Sequence, residues 1–359
     1  MKGDVAWVPI ETLRGFSADV FRSVGVPSDD ANVCADVLLA SDTFGIESHG
    51  VSRLKPIYYD RIKAGKQNPI TNFEVKREGP TTALVDGHRG MGQVIGARAM
   101  SLAVEKARRY GMGMVAVTNS THYGIAGYYA RIAVDAMMIG VTGTNARPAM
   151  APTFGTENML GTNPLTFGMP SDEPFPFVYD GATTIIQRGK VEVHARTGTP
   201  LHEGLVIGPD GESMTDPATI LSALDRGGAA LLPLGGFEET GGYKGYGYAT
   251  VVEVLCAALQ GGPFLKALTG VNLGHFFIAV DISAFTELDA FRRTTGDILR
   301  ALRASRKAPG HDRIYTAGEK AYLYSLERTR TGVPIVPSLQ AELLQMRDEC
   351  GLRQYSFPF

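Results

Sequence analysis

The sequence predicts a mixed α/β fold, and three observations carry that reading. Near the start, Leu13, Phe16, Val20, Phe21 and Val24 recur at helical spacing within Ile10–Val24. Short β-rich runs at 81–86 and 113–118 bracket a helical stretch at 93–110. A strongly apolar run, 275–282, is followed by helical patterns for the rest of the chain.

The first helix stops at Gly25, a residue suited to the left-handed conformation that ends helices. Ser28 then offers an N-cap and Asp29 and Asp30 place acids in the first turn, where they complement the helix dipole. This second helix runs to about Phe44 and ends at Gly45. A polar loop follows, Ile46-Glu-Ser-His-Gly-Val-Ser-Arg-Leu54. The strand at 113–118 delivers its end to Asn119-Ser-Thr-His-Tyr-Gly124. Residues 141–180 are rich in Gly, Pro, Thr and Asn and read as strands joined by loops. Residues 191–217 read as turns and short strands, including Gly208-Pro-Asp-Gly211. A helix is expected at 218–225. Glu239-Thr-Gly-Gly-Tyr-Lys-Gly-Tyr-Gly-Tyr248 opens a long apolar helix at 249–260, and three more helices are expected at 288–303, 320–329 and 338–350. No internal repeat or low-complexity stretch interrupts the pattern.

The chain has 359 residues, 44% hydrophobic and 20% charged, with a net charge of −2. The near balance of charge argues against nucleic acid and against a membrane surface as partners, because both draw on a clustered positive excess. The densest basic stretch, Arg300–Lys307, alternates with Leu and Ala and reads as a solvated helix face. Three cysteines, Cys34, Cys256 and Cys350, are too far apart for a metal or redox pair, and Cys34 and Cys256 sit in apolar helical patterns. Disulfides are therefore not expected, which fits a reducing, cytoplasmic setting. Met1-Lys2-Gly3-Asp4 leads into an amphipathic pattern without a signal-type apolar core. No apolar run approaches the ~20 residues of a membrane span.

One motif invites a dinucleotide-binding reading. Gly90-Met-Gly92-Gln-Val-Ile-Gly96 follows a strand and opens a helix. The next strand, however, ends at Asn119, not at the acid that would hold a ribose. A tight glycine turn packing a helix on a sheet explains the residues equally well.

Four other segments are more specific as a set: Ser48-His-Gly-Val-Ser-Arg53; Asn119-Ser-Thr-His-Tyr-Gly124; Asn145-Ala-Arg-Pro-Ala-Met-Ala-Pro152 with Leu160-Gly-Thr-Asn-Pro164; and Gly242-Tyr-Lys-Gly-Tyr-Gly247. Together they resemble the type 2 malate/lactate dehydrogenase family, whose relatives include sulfolactate, ureidoglycolate and diketogulonate enzymes and reductases of cyclic imino acids. The resemblance runs along essentially the whole chain in order. It implies an α/β fold that is not Rossmann, of the sulfolactate dehydrogenase kind: a mixed sheet with flanking helices, and a cofactor domain inserted between N- and C-terminal segments that pack together. The corresponding divisions are 1–120, a helical, substrate-side segment; 121–285, the cofactor domain; and 286–359, a helical segment packing on the first. The resemblance further implies a homodimer, NAD as cofactor with NADP as the alternative, and a small 2-hydroxy or 2-oxo acid as substrate. The sequence departs from the family pattern around His202-Glu-Gly-Leu-Val-Ile, which lacks Pro and Trp; at Ala317, where Pro is usual before Gly-Glu; and at Arg147, in place of a small or acidic residue.

His122 matches the family's acid/base position. Ketone reduction needs a proton at oxygen as hydride reaches carbon, and an imidazole can give or take one near neutrality. His49 belongs to a second loop of the same site and is the competing proton donor. Ser48 is its neighbouring hydrogen-bond partner, or alternatively an N-cap. Arg53 offers a planar fork for the substrate carboxylate, against the alternative of a surface arginine. Lys244 lies among glycines before a long helix, where backbone can approach a phosphate; with Tyr243 and Gly245 it forms the expected cofactor loop, the alternative being a flexible glycine turn. The resemblance also implies that Asp180 and Thr183 run under the cofactor, that Asn145 and the Pro148–Pro152 turn line a nicotinamide pocket, and that Gly318 and Glu319 reach the cofactor. No metal site is expected, because the histidines are scattered without ligand spacing. The rival readings are a cyclic imino acid reductase using Arg53 in the same way, a cofactor-free lyase or isomerase using the two histidines, and a binding-only relative.

Overall fold

The computed structural model describes residues 5–359; the stretch Met1–Asp4 lies outside the described residues. The chain opens with strand β1 (Ala6–Val8) and helices α1 (Ile10–Ser23) and α2 (Ser28–Thr43). In α1, Leu13, Phe16, Val20 and Phe21 are buried, and Gly25 turns the chain at φ +92°. Ser28 is the first residue of α2, and Pro27 holds the cap position in its place. A loop of two short 3-10 turns leads into a π-helical turn, Leu54–Tyr59, and the short α3 (Asp60–Lys63).

Strands β2 (Glu74–Glu78) and β3 (Thr82–Asp86) precede α4 (Gly92–Tyr110), β4 (Met112–Ser120), α5 (Ala126–Asp135) and β5 (Met138–Thr144). Then come β6 (Leu165–Met169), β7 (Phe177–Gly181), α6 (Arg188–Thr197), β8 (Val206–Ile207), α7 (Pro217–Asp225) and β9 (Ala230–Leu231). The chain closes with α8 (Gly242–Cys256), β10 (Leu273–Asp281), α9 (Leu288–Ala304), α10 (Glu319–Thr331), β11 (Val333–Ile335) and α11 (Pro337–Glu349). Residues 191–217, expected as turns and strands, thus begin inside α6. Only Val191 of that helix is buried, so it carries no apolar stripe to announce it. Helix α8 starts at Gly242, earlier than expected, which puts Lys244 in its first turn.

Seven strands form one sheet in the order β2-β3-β4-β10-β5-β6-β7. Only β3 and β4 run parallel; every other neighbouring pair is antiparallel. The sheet is therefore mixed and is not the parallel sheet of a Rossmann domain. It takes strands from both sides of residue 120. Side chains alternate along β10, so Phe277 and Ala279 face α4 and α5 while Phe276 faces α8 with Val252 and Cys256. A separate core joins the two ends of the chain: Phe16, Leu38 and Leu54 pack with Val333, Ile335, Leu343 and Met346, and β1 pairs antiparallel with β11. Helices α6 and α7 and the β8–β9 pair enclose a smaller core around Val191, Val206 and Ile220.

The glycine motif at 90–96 serves this packing. A Cβ on Gly92 would overlap the carbonyl oxygens of Thr121 and His122, and one on Gly96 would come within 2.6 Å of the Tyr129 ring. The Gly92 N–H is taken by Thr121 Oγ1 at 3.0 Å, whose hydroxyl donates to the Gly90 carbonyl at 2.8 Å. Close contact of α4 with the loop after β4 and with α5 explains these glycines, and they leave the His122 loop resting on the start of α4. Among the described residues, no helix is long and apolar enough to cross a membrane, and no group of three or more His, Cys, Asp or Glu side chains could hold a metal ion.

Candidate functional site

The two loops singled out in the sequence meet. The His49 and His122 rings stack with centroids 5.8 Å apart and planes 19° from parallel. His49 comes from the loop after α2, and His122 from the loop after β4. His49 borders a cavity of about 210 Å³ that is also lined by Ser48, Arg53, Gly124, Ala126, Asp180 and the Gln187–Gly189 start of α6, and His122 reaches it through the stack on His49. Ser48 Oγ lies 2.9 Å from His49 Nδ1.

His122 is fixed from behind. The Tyr58 hydroxyl is 2.7 Å from its Nδ1, and the Gly124 N–H donates to the same nitrogen at 3.3 Å. An amide N–H can only donate, so Nδ1 is an acceptor and the proton of neutral His122 sits on Nε2. Burial pushes the Tyr58 phenol well above its usual pKa, so it too serves as a donor. Burial also pushes His122 well below its usual value, helped by the charges of His49, Arg61 and Arg53. His49 is lowered to about 4, first by burial and then by Arg53.

Arg53 spends only its Nε, donating to the Ser48 carbonyl at 2.5 Å, and has no carboxylate partner among the described residues. A half-buried guanidinium with its outer edge free in a cavity is a binding group for a planar anion. Asp180 is open to the cleft but surrounded by protein, which raises its carboxyl. The Gly127 N–H (2.7 Å) and the Thr166 hydroxyl (2.9 Å) donate to it and oppose that rise.

A second, largely apolar cavity of about 290 Å³ lies between Leu165, Phe167, Tyr179, Thr183, Leu234 and Tyr248, and it shares Ala182 with the first. Thr183 is buried and donates to the carbonyls of Thr162 and Asn163 at 3.1 Å. Tyr243 and Lys244 are exposed on the first turn of α8, with the Lys244 ammonium 5.6 Å from the Tyr243 ring centre. Lys244 has no carboxylate partner among the described residues. Gly245 is needed for packing, since a Cβ there would overlap the Leu234 backbone. Asn145 is buried; its Oδ1 accepts from the Gly274 N–H at 2.9 Å, and its Nδ2 has no partner among the described residues. These residues could serve a nicotinamide dinucleotide: an apolar cavity that shares Ala182 with the His49 cavity, an ammonium on a helix N-terminus with no carboxylate partner among the described residues, and a buried amide with an unpaired donor.

Gly318 and Glu319 stand apart from both cavities. Gly318 adopts φ +92° against the Pro176 carbonyl, and Glu319 is buried between Arg313, Arg303 and the Thr316 N–H. Three contributors were not singled out in the sequence: Tyr58, the Gln187–Gly189 wall, and Asp42 beneath the His49 loop. Tyr58 is five residues past Arg53, a spacing that a regular α-helix does not bring to one face and that a π-turn does.

The family model of malate/L-lactate dehydrogenases matches residues 8–344. The malate dehydrogenase of Pyrococcus abyssi is 42% identical over 352 residues, covering 96% of this chain and 95% of that protein. The crystal structure of malate dehydrogenase from Entamoeba histolytica superposes with a TM-score of 0.95 at 41% identity, over 99% of this chain and 100% of that one. The sulfolactate dehydrogenase of Methanocaldococcus jannaschii superposes with a TM-score of 0.87 at 35% identity, over 97% and 98%.

Proposed function

The chain belongs to the malate/L-lactate dehydrogenase family, and from that premise we propose that it interconverts a small 2-hydroxy acid and its 2-oxo acid at the His49–Arg53 cavity. The observation that carries the reading is an arginine fork with no carboxylate partner among the described residues on the same cavity as His49, whose ring stacks on His122.

Arg53 holds the substrate carboxylate and so fixes C2 in the cavity. In reduction, a histidine delivers a proton to the C2 oxygen; in oxidation it takes that proton back. Neutral His122, with its proton on Nε2 and Nδ1 held as an acceptor by Tyr58 and Gly124, donates a hydrogen bond to the C2 oxygen; to deliver that proton the ring must first be charged by a proton taken up at Nδ1, which then donates to the Tyr58 oxygen. His49 stacks on it and is the alternative donor, with Ser48 beside it. NAD, with NADP as its competitor, supplies or accepts the hydride; Thr183, Asn145, Tyr243 and Lys244 are the residues that would hold it. Asp180 lines the substrate cavity, which shares Ala182 with the apolar cavity on the cofactor side.

The test is the decay of NADH and NADPH absorbance against a panel of 2-oxo acids and cyclic imino acids. Turnover of a 2-oxo acid establishes the reading and names substrate and cofactor together. Turnover of imines alone moves the chain to imine reduction. No turnover, together with no thermal shift on adding either dinucleotide, overturns the redox reading.

A further inference from the structure

Arg328 of α10 is an expensive residue to keep. Its side chain is 7% exposed, and among the described residues only its Nη2 has a carboxylate partner, Glu47 Oε1, while its Nε and Nη1 have no partner. It lies over the faces of Trp7 (5.5 Å) and Tyr324 (5.8 Å). Only the arginine of this pair is buried, and Glu47 is exposed; a guanidinium buried in this way loses hydration that one exposed partner does not restore, so a well-packed apolar side chain would serve stability as well or better. Its partner is informative: Glu47 opens the loop that carries Ser48 and His49, 281 residues away along the chain.

The far end of the Ser48-His49-Gly50 segment is anchored in turn, here by a buried acid. Asp42 Oδ2 accepts the Val51 N–H at 2.7 Å, and the Asp42 carboxyl occupies the space that a Cβ on Gly50 would need. Ahead of the loop, the Tyr324 ring of α10 lies where a Cβ on Gly45 would come within 2.7 Å. Ser48, His49 and Gly50 are therefore gripped at Glu47 by Arg328 and at Val51 by Asp42.

We propose that Arg328 is a positioning residue for the reaction: through Glu47, and with Asp42 at the opposite end, it clamps the Ser48-His49-Gly50 segment and sets the His49 ring against His122 and the substrate. The assignment rests on the reading of that cavity as the reactive site. It makes a helix from the far end of the chain part of the catalytic apparatus.

Arg328→Met, Arg328→Lys, Glu47→Gln and the Arg328→Met/Glu47→Gln double variant of the full chain test it. The readouts are melting temperature, dissociation constant for the reduced dinucleotide, kcat and KM for the 2-oxo acid, and the ring 15N signals of His49. Arg328→Met is expected to lower kcat about tenfold while the dinucleotide constant stays within about twofold. Arg328→Lys is expected to recover part of the loss, and the double variant to be no worse than the more damaged single one. The His49 ring signals are expected to shift in Arg328→Met while those of His275 hold still. Unchanged kcat and unchanged His49 signals overturn the clamp, as does a loss of kcat shared equally by dinucleotide binding and melting temperature. If the parent protein turns over no 2-oxo acid, the functional reading fails by itself, and the His49 signals alone decide the clamp.

Discussion

The Tyr58 hydroxyl stands 2.7 Å from His122 Nδ1, and the Gly124 N–H approaches the same nitrogen at 3.3 Å. Two donors on one lone pair stabilise the neutral ring and oppose protonation at Nδ1. Removing one of them raises the affinity of His122 for a proton. Tyr58→Phe is therefore expected to move the pH dependence of kcat to higher pH, and to lower kcat roughly five- to tenfold, the worth of one hydrogen bond. Cofactor affinity should not change. A profile that stays in place would mean that Tyr58 does not govern this imidazole.

Arg53 offers the free outer edge of a fork whose Nε is already tied to the Ser48 carbonyl. Lysine keeps the charge but cannot make two parallel bonds to a carboxylate. Arg53→Lys is expected to reduce kcat/KM for the 2-oxo acid roughly 10- to 100-fold, as loss of a charge-assisted hydrogen bond implies. The melting temperature should stay close to that of the parent, because the group has no buried ion pair to lose. An unchanged kcat/KM would remove Arg53 from the substrate site.

Both histidines are neutral near pH 7 in the free protein, His49 because burial and the Arg53 charge hold it at about 4. A carboxylate on Arg53 neutralises one of the two causes. Binding of an unreactive 2-oxo acid analogue such as oxamate to the enzyme–NADH complex is then expected to take up a fraction of a proton near neutrality. Calorimetry in buffers of different ionisation enthalpy measures this directly. Zero uptake would mean that the proton delivered to substrate does not come from a histidine charged on binding.

Local patterns announced the parts of the fold whose packing is local. The stripe of α1 and the strand at 275–282 are buried as their periodicity implies, and the loops bearing His49 and His122 lie together. What the residues concealed has physical reasons. Helix α5 gives only a narrow polar side to read, Arg131 and Asp135, because Ala126, Gly127, Ala130 and Ala133 are buried while Tyr128 and Ile132 are also partly buried. Helix α6 has the opposite fault, a single buried residue. Tyr58 is hidden by the extra residue of the π-turn, and Arg328 by its sequence distance from Glu47. Lys244, Tyr243, Gly318 and Glu319 illustrate a different gap: a glycine-rich helix start is legible, but whether it faces a cavity or, like Gly318, another stretch of backbone depends on the tertiary fold.

Asp42 gives the clearest link between this loop and stability. Burial, with the charge of Glu47, pushes its carboxyl up to about 8, while the Val51 N–H and the Arg328 guanidinium pull it down. In the unfolded chain an aspartate titrates near 3.9. Between roughly pH 4 and 8 the folded protein therefore holds a proton that the unfolded chain has lost, and its stability falls as pH rises through that window, by at most about 1.4 kcal/mol per unit. Asparagine at 42 still accepts the Val51 N–H but carries no such proton. The stability of Asp42→Asn relative to the parent is expected to climb steadily from about pH 4 to pH 8 and to level off above it. Denaturant melts of both proteins at a series of pH values measure the difference, in which the titration of all other groups cancels. A difference independent of pH would place the proton of this buried acid elsewhere, and would leave the Val51 bond as the whole of its contribution.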